Sequence, residues 1–295
     1  MLTADSPLPL RIAGYLSERF PPVVYTVLVV LFFGSAVLNA AALTAAPFSW
    51  RVLLGAPVVW LVFFHLRVFD EHKDFSLDVA AHPERLLSRG VVTLPLLARL
   101  AGLAILIEAL LSVLLGWHAL AAWAAALTFS LLMRLEFGIG EWLSARILLY
   151  AVTHNPIVGL LALVGFFSLG VGFTPSFLWY VAAASVASLA FELGRKIRLP
   201  EEEVAGVDSY SSVHGRDRAG LILSGIIVLA AGLTGVAIWT VSPGIGLRML
   251  SAGLVLIGAL IGIVEARPGR PAKKVELGSA LFLLITLLAM GVAAW

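Results

Sequence analysis

Long apolar blocks separated by short polar segments run through the whole chain. Most blocks have about the 20 residues that a helix needs to cross the hydrocarbon core of a bilayer. Lipid offers no partners to the backbone groups of an open strand, which favours helices. The pattern therefore predicts an all-α, polytopic membrane protein with about nine transmembrane helices. The predicted spans lie near 22–44, 51–69, 92–115, 117–135, 155–173, 177–195, 219–240, 246–266 and 276–295.

The composition agrees with this pattern. Of the 295 residues, 60% are hydrophobic and 13% are charged, whereas about 25% are charged in a typical soluble domain. We interpret 1–295 as one transmembrane domain, in which 1–21 form an amphipathic, cytoplasmic lead-in to the first span. The chain has no cysteine, which excludes disulfides and Cys-ligated metals. It has no basic stripe with interleaved aromatic residues, so we expect no nucleic-acid partner.

The positive charges predict an orientation. Lys and Arg are absent from 45–50, 115–119, 170–177 and 240–246, while the intervening polar segments carry most of the cations. Cytoplasmic loops collect positive charge. We therefore predict a multi-pass protein of the cell inner (plasma) membrane, with the N-terminus and the charged loops cytoplasmic and the C-terminus outside.

Nearly all carboxylates lie in the same charged loops, although the positive-inside rule makes no such demand. The exception is Glu108, in the middle of a span. An ionisable residue there is costly and suggests function. Glu108 either lines a central cavity or, when protonated, hydrogen-bonds to Ser112 or to a neighbouring helix. We assign the small-residue pattern Gly138-x-Gly140 to close packing of helices.

The first charged loop, 69–78, follows the second predicted span and is rich in carboxylates. Asp70, Asp74 and Asp78 recur every four residues, with Glu71 beside the first. On a helix this spacing stacks like charges along one face, which is unfavourable without a partner. Mg²⁺ removes that repulsion, because it binds a few carboxylate oxygens and completes its shell with waters and substrate phosphates. The alternative is a solvated loop that happens to be acidic.

Cations accompany these carboxylates. Arg85 and Arg89 follow the acidic row, and a guanidinium group suits phosphate oxygens. The second charged loop, 192–212, mixes the two charges in the same way, with Glu192 one helical turn before Arg195 and Lys196. Positive-inside anchoring and surface salt bridges are the alternative explanations. Two such loops on one face favour a substrate that carries a diphosphate and a lipid tail.

Segment 70–90 resembles the first aspartate-rich motif of the UbiA superfamily of intramembrane prenyltransferases. Asp78 and Asp74 match its last two aspartates. Glu71 stands in place of its first aspartate, and Asp70 in place of its asparagine. The stretch 82–90 is similar to the segment that follows the motif, and 149–156 is similar to a tyrosine- and proline-bearing link before the fifth span.

The second loop departs from the pattern of the superfamily. Glu192, Arg195 and Lys196 occupy the stretch of the second motif, so that a lysine stands where an aspartate is expected. Lysine can bind phosphate directly as a point charge. The carboxylates of 201–203 and of Asp208 are candidates to replace the missing aspartates.

The resemblance implies a UbiA-like helical bundle around a central cavity. It implies Mg²⁺-dependent transfer of a prenyl group from a prenyl diphosphate to a lipophilic or aromatic acceptor within the lipid membrane. The implied catalytic and metal-binding residues are Asp70, Glu71, Asp74 and Asp78, with Glu192 as a further metal ligand. The implied substrate-binding residues are Lys73, Arg85, Arg89, Tyr150, Glu192, Arg195, Lys196 and Asp208. Two alternatives stay open: a terpene cyclase of the same superfamily, and a membrane transporter without prenyl transfer.

Overall fold

The computed structural model describes residues 2–203, 207–242 and 244–295, and throughout these residues the regular structure is helical, without strands. This confirms the all-α prediction. The described helices are α1 Leu8–Arg19, α2 Pro22–Thr44, α3 Gly55–Lys73, α4 Phe75–Ala81, α5 Leu94–Leu115, α6 Trp117–Arg134, α7 Gly140–Ser144, α8 Ile147–His154, α9 Pro156–Phe167, α10 Phe177–Gly194, α11 Tyr210–His214, α12 Arg216–Val241, α13 Ile245–Ala266 and α14 Ala272–Ala293.

Eight helical segments of the described chain are long and apolar enough to cross a membrane. They are Pro22–Thr44, Trp50–Lys73, Leu94–Leu115, Ile147–Phe167, Phe177–Gly194, Arg216–Val241, Ile245–Ala266 and Ala272–Ala293. The ninth predicted span, 117–135, corresponds to α6, which has 18 residues but carries His118 near one end and Arg134 at the other. Helix α6 nevertheless packs between α5 and α9 in the bundle.

The fifth span differs from its prediction. It begins at Ile147 and ends at Phe167, whereas the sequence predicts 155–173. Pro156 has no backbone N–H and occupies the first turn of α9, so a new helix begins there and α8 and α9 share the crossing. Tyr150 and His154 therefore lie within the span rather than in a link before it.

Small residues allow helices of the second half of the chain to approach closely. A Cβ atom on Gly278 of α14 would lie 2.7 Å from Glu265 Cβ of α13. A Cβ atom on Gly194, at the end of α10, would collide with Ser279 of α14. Close backbone approach of this kind is a principal source of helix association in lipid.

Glu108 joins three helices in the interior. Its Oε1 lies 2.8 Å from His65 Nδ1 of α3, and its Oε2 accepts a hydrogen bond of 2.9 Å from Trp123 Nε1 of α6. His65 Nε2 lies 3.2 Å from Ser130 Oγ, also of α6. Of the two roles considered for Glu108, the structure supports a hydrogen bond to neighbouring helices, and the partner is not Ser112. A buried polar group is tolerated in such a place when it is fully paired.

Successive spans run in alternate directions, which brings one set of helix ends together. The ends of α3 and α10 and the beginnings of α8 and α12 lie at the same end of the bundle, with the two charged loops. We call it the charged end. It positions the candidate site.

Candidate active site

A cleft enters the bundle at the charged end and has two connected parts. The inner pocket has a volume of about 340 Å³ and lies between α2, α3, α9, α10 and α14. The outer pocket has a volume of about 280 Å³ and lies between α3, α8, α9 and the end of α10. Both are lined by Phe63, Asp70, Val158, Ser188, Glu192 and Arg195. One continuous cavity thus leads from a charged entrance to the interior of the bundle.

The inner pocket has mostly apolar walls. Its apolar lining comprises Val24, Leu28, Phe32, Phe63, Leu66, Val158, Ala184, Phe191, Leu283 and Leu287. Its charged lining residues are Arg67, Asp70, Glu192 and Arg195, and the last three also line the outer pocket. A pocket of this character suits a hydrocarbon chain with a polar head at its mouth.

The outer pocket brings together seven of the residues predicted from the sequence. They are Asp70, Lys73, Asp74, Tyr150, Glu192, Arg195 and Lys196. They come from the end of α3, from α8 and from the end of α10, so the two charged loops do meet as expected. Three of these residues are cations and three are carboxylates.

Lys73 lies at the centre of one half of this entrance. Its Nζ donates a hydrogen bond to the hydroxyl of Tyr150. The same Nζ lies 4.0 Å from Asp70 Oδ1 and 3.8 Å from Glu136 Oε1. The Tyr150 hydroxyl in turn donates to Glu136 Oε1 over 3.4 Å. Glu136 is a new member of the group, which the sequence pattern did not single out.

Glu192 organises the other half. It accepts hydrogen bonds from Arg195 Nε over 2.6 Å and from Lys196 Nζ over 2.9 Å. Glu192 raises the pKa of Arg195, which lies beyond the end of α10. One carboxylate faces two cations, so this side of the pocket carries a net positive charge, and that charge attracts an anion.

The five carboxylates predicted as metal ligands do not converge. Among the described residues, no group of three or more Asp, Glu or His side chains is placed to hold a metal ion. Asp70 and Asp74 nevertheless line the same pocket, and burial raises the pKa of Asp74 while neighbouring Lys73 opposes that rise. Mg²⁺ often takes only one or two protein carboxylates and obtains its remaining ligands from phosphates and water. Asp70 and Asp74 fit that arrangement.

Glu71 and Asp78 have other partners. Glu71 is 1% exposed and accepts hydrogen bonds from Arg19 of α1, at 2.7 Å, and from Arg67, at 2.7 Å. Asp78 accepts one from Arg19, at 2.8 Å, and pairs with Arg85 at 3.0 Å. These guanidinium groups neutralise both carboxylates, so the expectation that Glu71 and Asp78 join Asp70 and Asp74 at a metal does not fit the structure.

Three predicted substrate-binding residues lie outside the two pockets. Arg85 pairs with Asp78, and Arg89 Nη2 donates to the backbone oxygen of Leu2 over 2.9 Å. Asp208 is exposed and lines neither pocket. The expectation for these three residues is therefore not supported by their positions.

None of the carboxylates of 201–203 lines either pocket. Glu203 accepts hydrogen bonds from the hydroxyls of Ser209 and Ser211. Glu202 Oε2 accepts hydrogen bonds from the backbone N–H groups of Leu199 and Ala272. Both carboxylates stabilise the loop itself. Residues 204–206 of this loop lie outside the described residues.

Comparison with known proteins gives matches only at the level of structure. No family model matches the chain, and no curated protein matches it in sequence. A UbiA homolog from Aeropyrum pernix K1 superposes with a TM-score of 0.69 at 19% identity, over 90% of this chain and 96% of the other. The chain has the UbiA fold. A digeranylgeranylglyceryl phosphate synthase superposes with a TM-score of 0.65 at 16% identity, over 96% of this chain and 98% of the other.

The two superpositions cover nearly the full length of both solved structures. At such low identity they establish the UbiA fold and leave the chemistry to be argued from the side chains. The resemblance of 70–90 to an aspartate-rich motif thus occurs in a chain that has the corresponding UbiA fold, and two carboxylates of that segment, Asp70 and Asp74, line the outer pocket.

Proposed function

We propose that the chain is a divergent member of the UbiA superfamily and transfers a prenyl group from a prenyl diphosphate to a lipophilic or aromatic acceptor within the membrane. One observation carries the proposal. The apolar inner pocket opens directly into an outer pocket where Lys73, Arg195 and Lys196 stand beside Asp70 and Asp74. The two parts match a hydrocarbon tail and a diphosphate head, respectively. The UbiA fold and the synthase with the same architecture support it.

The cations of the outer pocket would bind the diphosphate and favour its departure. Arg195 and Lys196 are fixed by Glu192 at 2.6 Å and 2.9 Å. A cation held in place before the reaction stabilises the negative charge that develops on a leaving group without having to reorganise. Lys196 would supply a positive charge where the superfamily pattern expects an aspartate.

Asp70 and Asp74 would hold Mg²⁺ against the diphosphate. Bound there, the cation would neutralise charge on the leaving group as a Lewis acid. The two carboxylates lie one helical turn apart in sequence and line the same pocket, whereas Glu71 and Asp78 are already paired with arginines. We therefore assign the metal to two protein carboxylates rather than to five.

The inner pocket would hold the prenyl chain and exclude water. When the carbon–oxygen bond of the donor breaks, an allylic carbocation remains, and water would capture it. Apolar side chains such as Phe63, Leu66 and Phe191 wall the space beyond Asp70. A dry pocket of this kind leaves the acceptor as the nucleophile.

The proposal is tested by incubating purified protein in lipid nanodiscs with Mg²⁺, a radiolabelled prenyl diphosphate and a membrane lipid extract. We expect a labelled, extractable product whose formation requires Mg²⁺ and is lost in Asp70→Ala and Asp74→Ala. Glu276→Gln, an exposed carboxylate of α14, is the matched control and should retain wild-type activity.

The alternatives have distinct outcomes in the same experiment. Diphosphate release with a labelled hydrocarbon product and no acceptor would indicate a terpene cyclase. Absence of any product with every prenyl donor, together with solute flux in proteoliposomes, would indicate a transporter. Full activity in both aspartate variants would contradict the assignment of the site.

A further inference from the structure

The turn after α6 has a strained backbone. Glu136 and Phe137 have φ angles of +48° and +54°, and neither is glycine. Left-handed conformations of this kind cost free energy in residues with a Cβ atom and often occur at functional sites. Gly138 follows with a φ of +72°, which a glycine adopts easily. The Phe137 ring packs on Phe129 and on His154, with ring centroids 5.5 Å and 5.4 Å apart.

The strained turn directs the Glu136 carboxylate at two residues of the outer pocket. Glu136 Oε1 lies 3.8 Å from Lys73 Nζ and accepts a hydrogen bond from the Tyr150 hydroxyl over 3.4 Å. Lys73 Nζ also donates to that hydroxyl. Lys73 therefore stands between Glu136 on one side and Asp70, 4.0 Å away, on the other.

The neighbouring backbone makes room for this carboxylate. A Cβ atom on Gly140, the first residue of α7, would collide with Glu136 Oε2 and would lie 3.1 Å from Glu136 Cδ. The φ of Gly140 is not positive. A glycine is therefore needed here to leave room for the Glu136 carboxylate, and not to allow a left-handed backbone. This corrects the assignment of Gly138 and Gly140 to the packing of helices, because both lie at the strained turn.

We propose that Glu136 is a positioning residue, which fixes the Lys73 amine and the Tyr150 hydroxyl at the mouth of the outer pocket. Glu136 does not itself line that pocket, so it acts through the two groups it contacts. Without it, the Lys73 amine loses one of its two carboxylate partners, and the Tyr150 hydroxyl loses its acceptor. The contribution of Glu136 to prenyl transfer rests on the function proposed above, whereas its hold on Lys73 does not.

Two variants remove the contact by different routes. Glu136→Ala deletes the carboxylate, and Gly140→Ala displaces it while leaving every charged group in the chain. The controls are Glu141→Gln, an exposed carboxylate in the same short helix, and Gly225→Ala, where a Cβ atom meets nothing within 4 Å. A single monodisperse peak in size-exclusion chromatography, at the wild-type volume, checks that each variant folds.

The first measurement does not depend on catalysis. An amine-reactive reagent is applied to the protein, and modification of each lysine is followed by mass spectrometry. Lys73 is only 17% exposed in the ion-paired arrangement. Once released, it should be modified about threefold to tenfold faster in Glu136→Ala and in Gly140→Ala. Lys196, which is held by Glu192 instead, is the internal standard and should keep its rate.

The second measurement tests the part that Glu136 plays in the reaction. We expect kcat/KM for a prenyl diphosphate to fall about 10-fold to 100-fold in Glu136→Ala, because misplacing a binding group by about 1 Å has effects of that size. In a Tyr150→Phe background the same substitution should cost less than it does in the wild type, because one of the two groups through which Glu136 acts is already absent and coupled residues are not additive. A residue needed only for folding would give additive losses.

Each outcome bears on one claim. An unchanged rate of Lys73 modification in both variants would overturn the proposal, as would additive kinetic losses. Faster modification of Lys73 with coupled kinetic losses supports it. Faster modification in a protein that turns over no prenyl diphosphate would leave the hold on Lys73 supported, and the function proposed for the site would be the claim that fails.

Discussion

At the scale of the residue, four carboxylates of one loop have different surroundings. Asp70 and Asp74 line the outer pocket, and Asp70 Oδ1 lies 4.0 Å from Lys73 Nζ. Glu71 and Asp78 are enclosed by Arg19, Arg67 and Arg85. The spacing in sequence does not distinguish the four carboxylates, but their contacts do. Asp70 and Asp74 are available to a substrate, whereas Glu71 and Asp78 belong to a structural network of ion pairs.

This separation predicts a structural phenotype for Glu71. Glu71→Gln removes the only carboxylate paired with Arg67 among the described residues and leaves Arg19 with Asp78 alone; the two arginine side chains are 20% and 14% exposed. Removing one partner of a buried ion pair costs about 3 kcal/mol, so the unfolding temperature should fall, while turnover per folded molecule stays near that of the wild type. The measurement combines thermal unfolding in detergent with active-site-normalised rates. Glu84→Gln, at an exposed position, is the control, and equal stability of the two variants would contradict the prediction.

At the scale of the element, the end of α3 decides which carboxylates meet. Asp74 adopts φ −96° and ψ 8° at the C-cap of α3, and α4 then begins at Phe75. The repeat of one carboxylate every four residues would hold one face only if a single helix continued. Because the helix ends there, Asp78 belongs to a second helix and reaches Arg19 and Arg85 instead. The spacing alone could not show this break.

Other elements show where sequence patterns stop being informative. The apolar blocks predicted most spans within a few residues, because lipid enforces a helix of fixed minimum length. The predicted start of the fifth span is wrong, since the polar residues 153–155 indicate a link in the sequence, whereas α8 leads directly into α9 at Pro156 and both belong to one span. The sequence pattern does not identify Glu136, because its importance comes from a strained turn that directs its carboxylate at Lys73 and Tyr150 of other helices. The pattern of Gly138 and Gly140 beside it was the available signal.

The second charged loop offers a prediction about pH. Hydrogen bonds from the backbone N–H groups of Leu199 and Ala272 lower the pKa of Glu202 below its ordinary 4.5. A lowered folded-state pKa means that the stabilisation is present above the unfolded-state value and is lost as the pH falls through the folded-state value. Glu202→Ala should therefore destabilise the protein at pH 7 by about 1 kcal/mol, the usual contribution of a cap. The difference from wild type should begin to shrink as the pH falls below about 4.5, because the Glu202 carboxyl group is protonated first in the unfolded chain and at lower pH in the folded chain.

Urea unfolding of both proteins at several pH values measures this difference. Glu201→Ala, one residue earlier and exposed, is the matched control. A difference that stays constant between pH 7 and a pH of about 3 would show that the carboxylate charge has no part in the effect.

At the scale of the whole molecule, nine crossings would place the two ends of the chain on opposite sides of the membrane. Eight of the described helical segments meet the length and hydropathy of a span, and α6, which is not among them, would be the ninth crossing. The chain has no cysteine, so a single introduced cysteine can show which side of the membrane its position faces. With the charged end cytoplasmic, a membrane-impermeant maleimide on intact cells should label Ser49→Cys and should not label Glu84→Cys or Glu141→Cys. Equal labelling of Ser49→Cys and Glu141→Cys would show that the chain reaches 141 on the same side as 49, so that α5 and α6 do not alternate as described.

The most direct test of the whole account is the rate of diphosphate release from a prenyl diphosphate in a single turnover with Mg²⁺, compared between two aspartate variants. Asp74→Asn changes the outer pocket and should slow release about 100-fold, as expected when a group that stabilises the leaving charge is lost. Asp78→Asn changes a carboxylate that is already paired with Arg19 and Arg85, and its folded fraction should release diphosphate at a rate close to that of the wild type. A wild-type rate in Asp74→Asn, or equal losses in both variants, would contradict a diphosphate site built on the outer pocket.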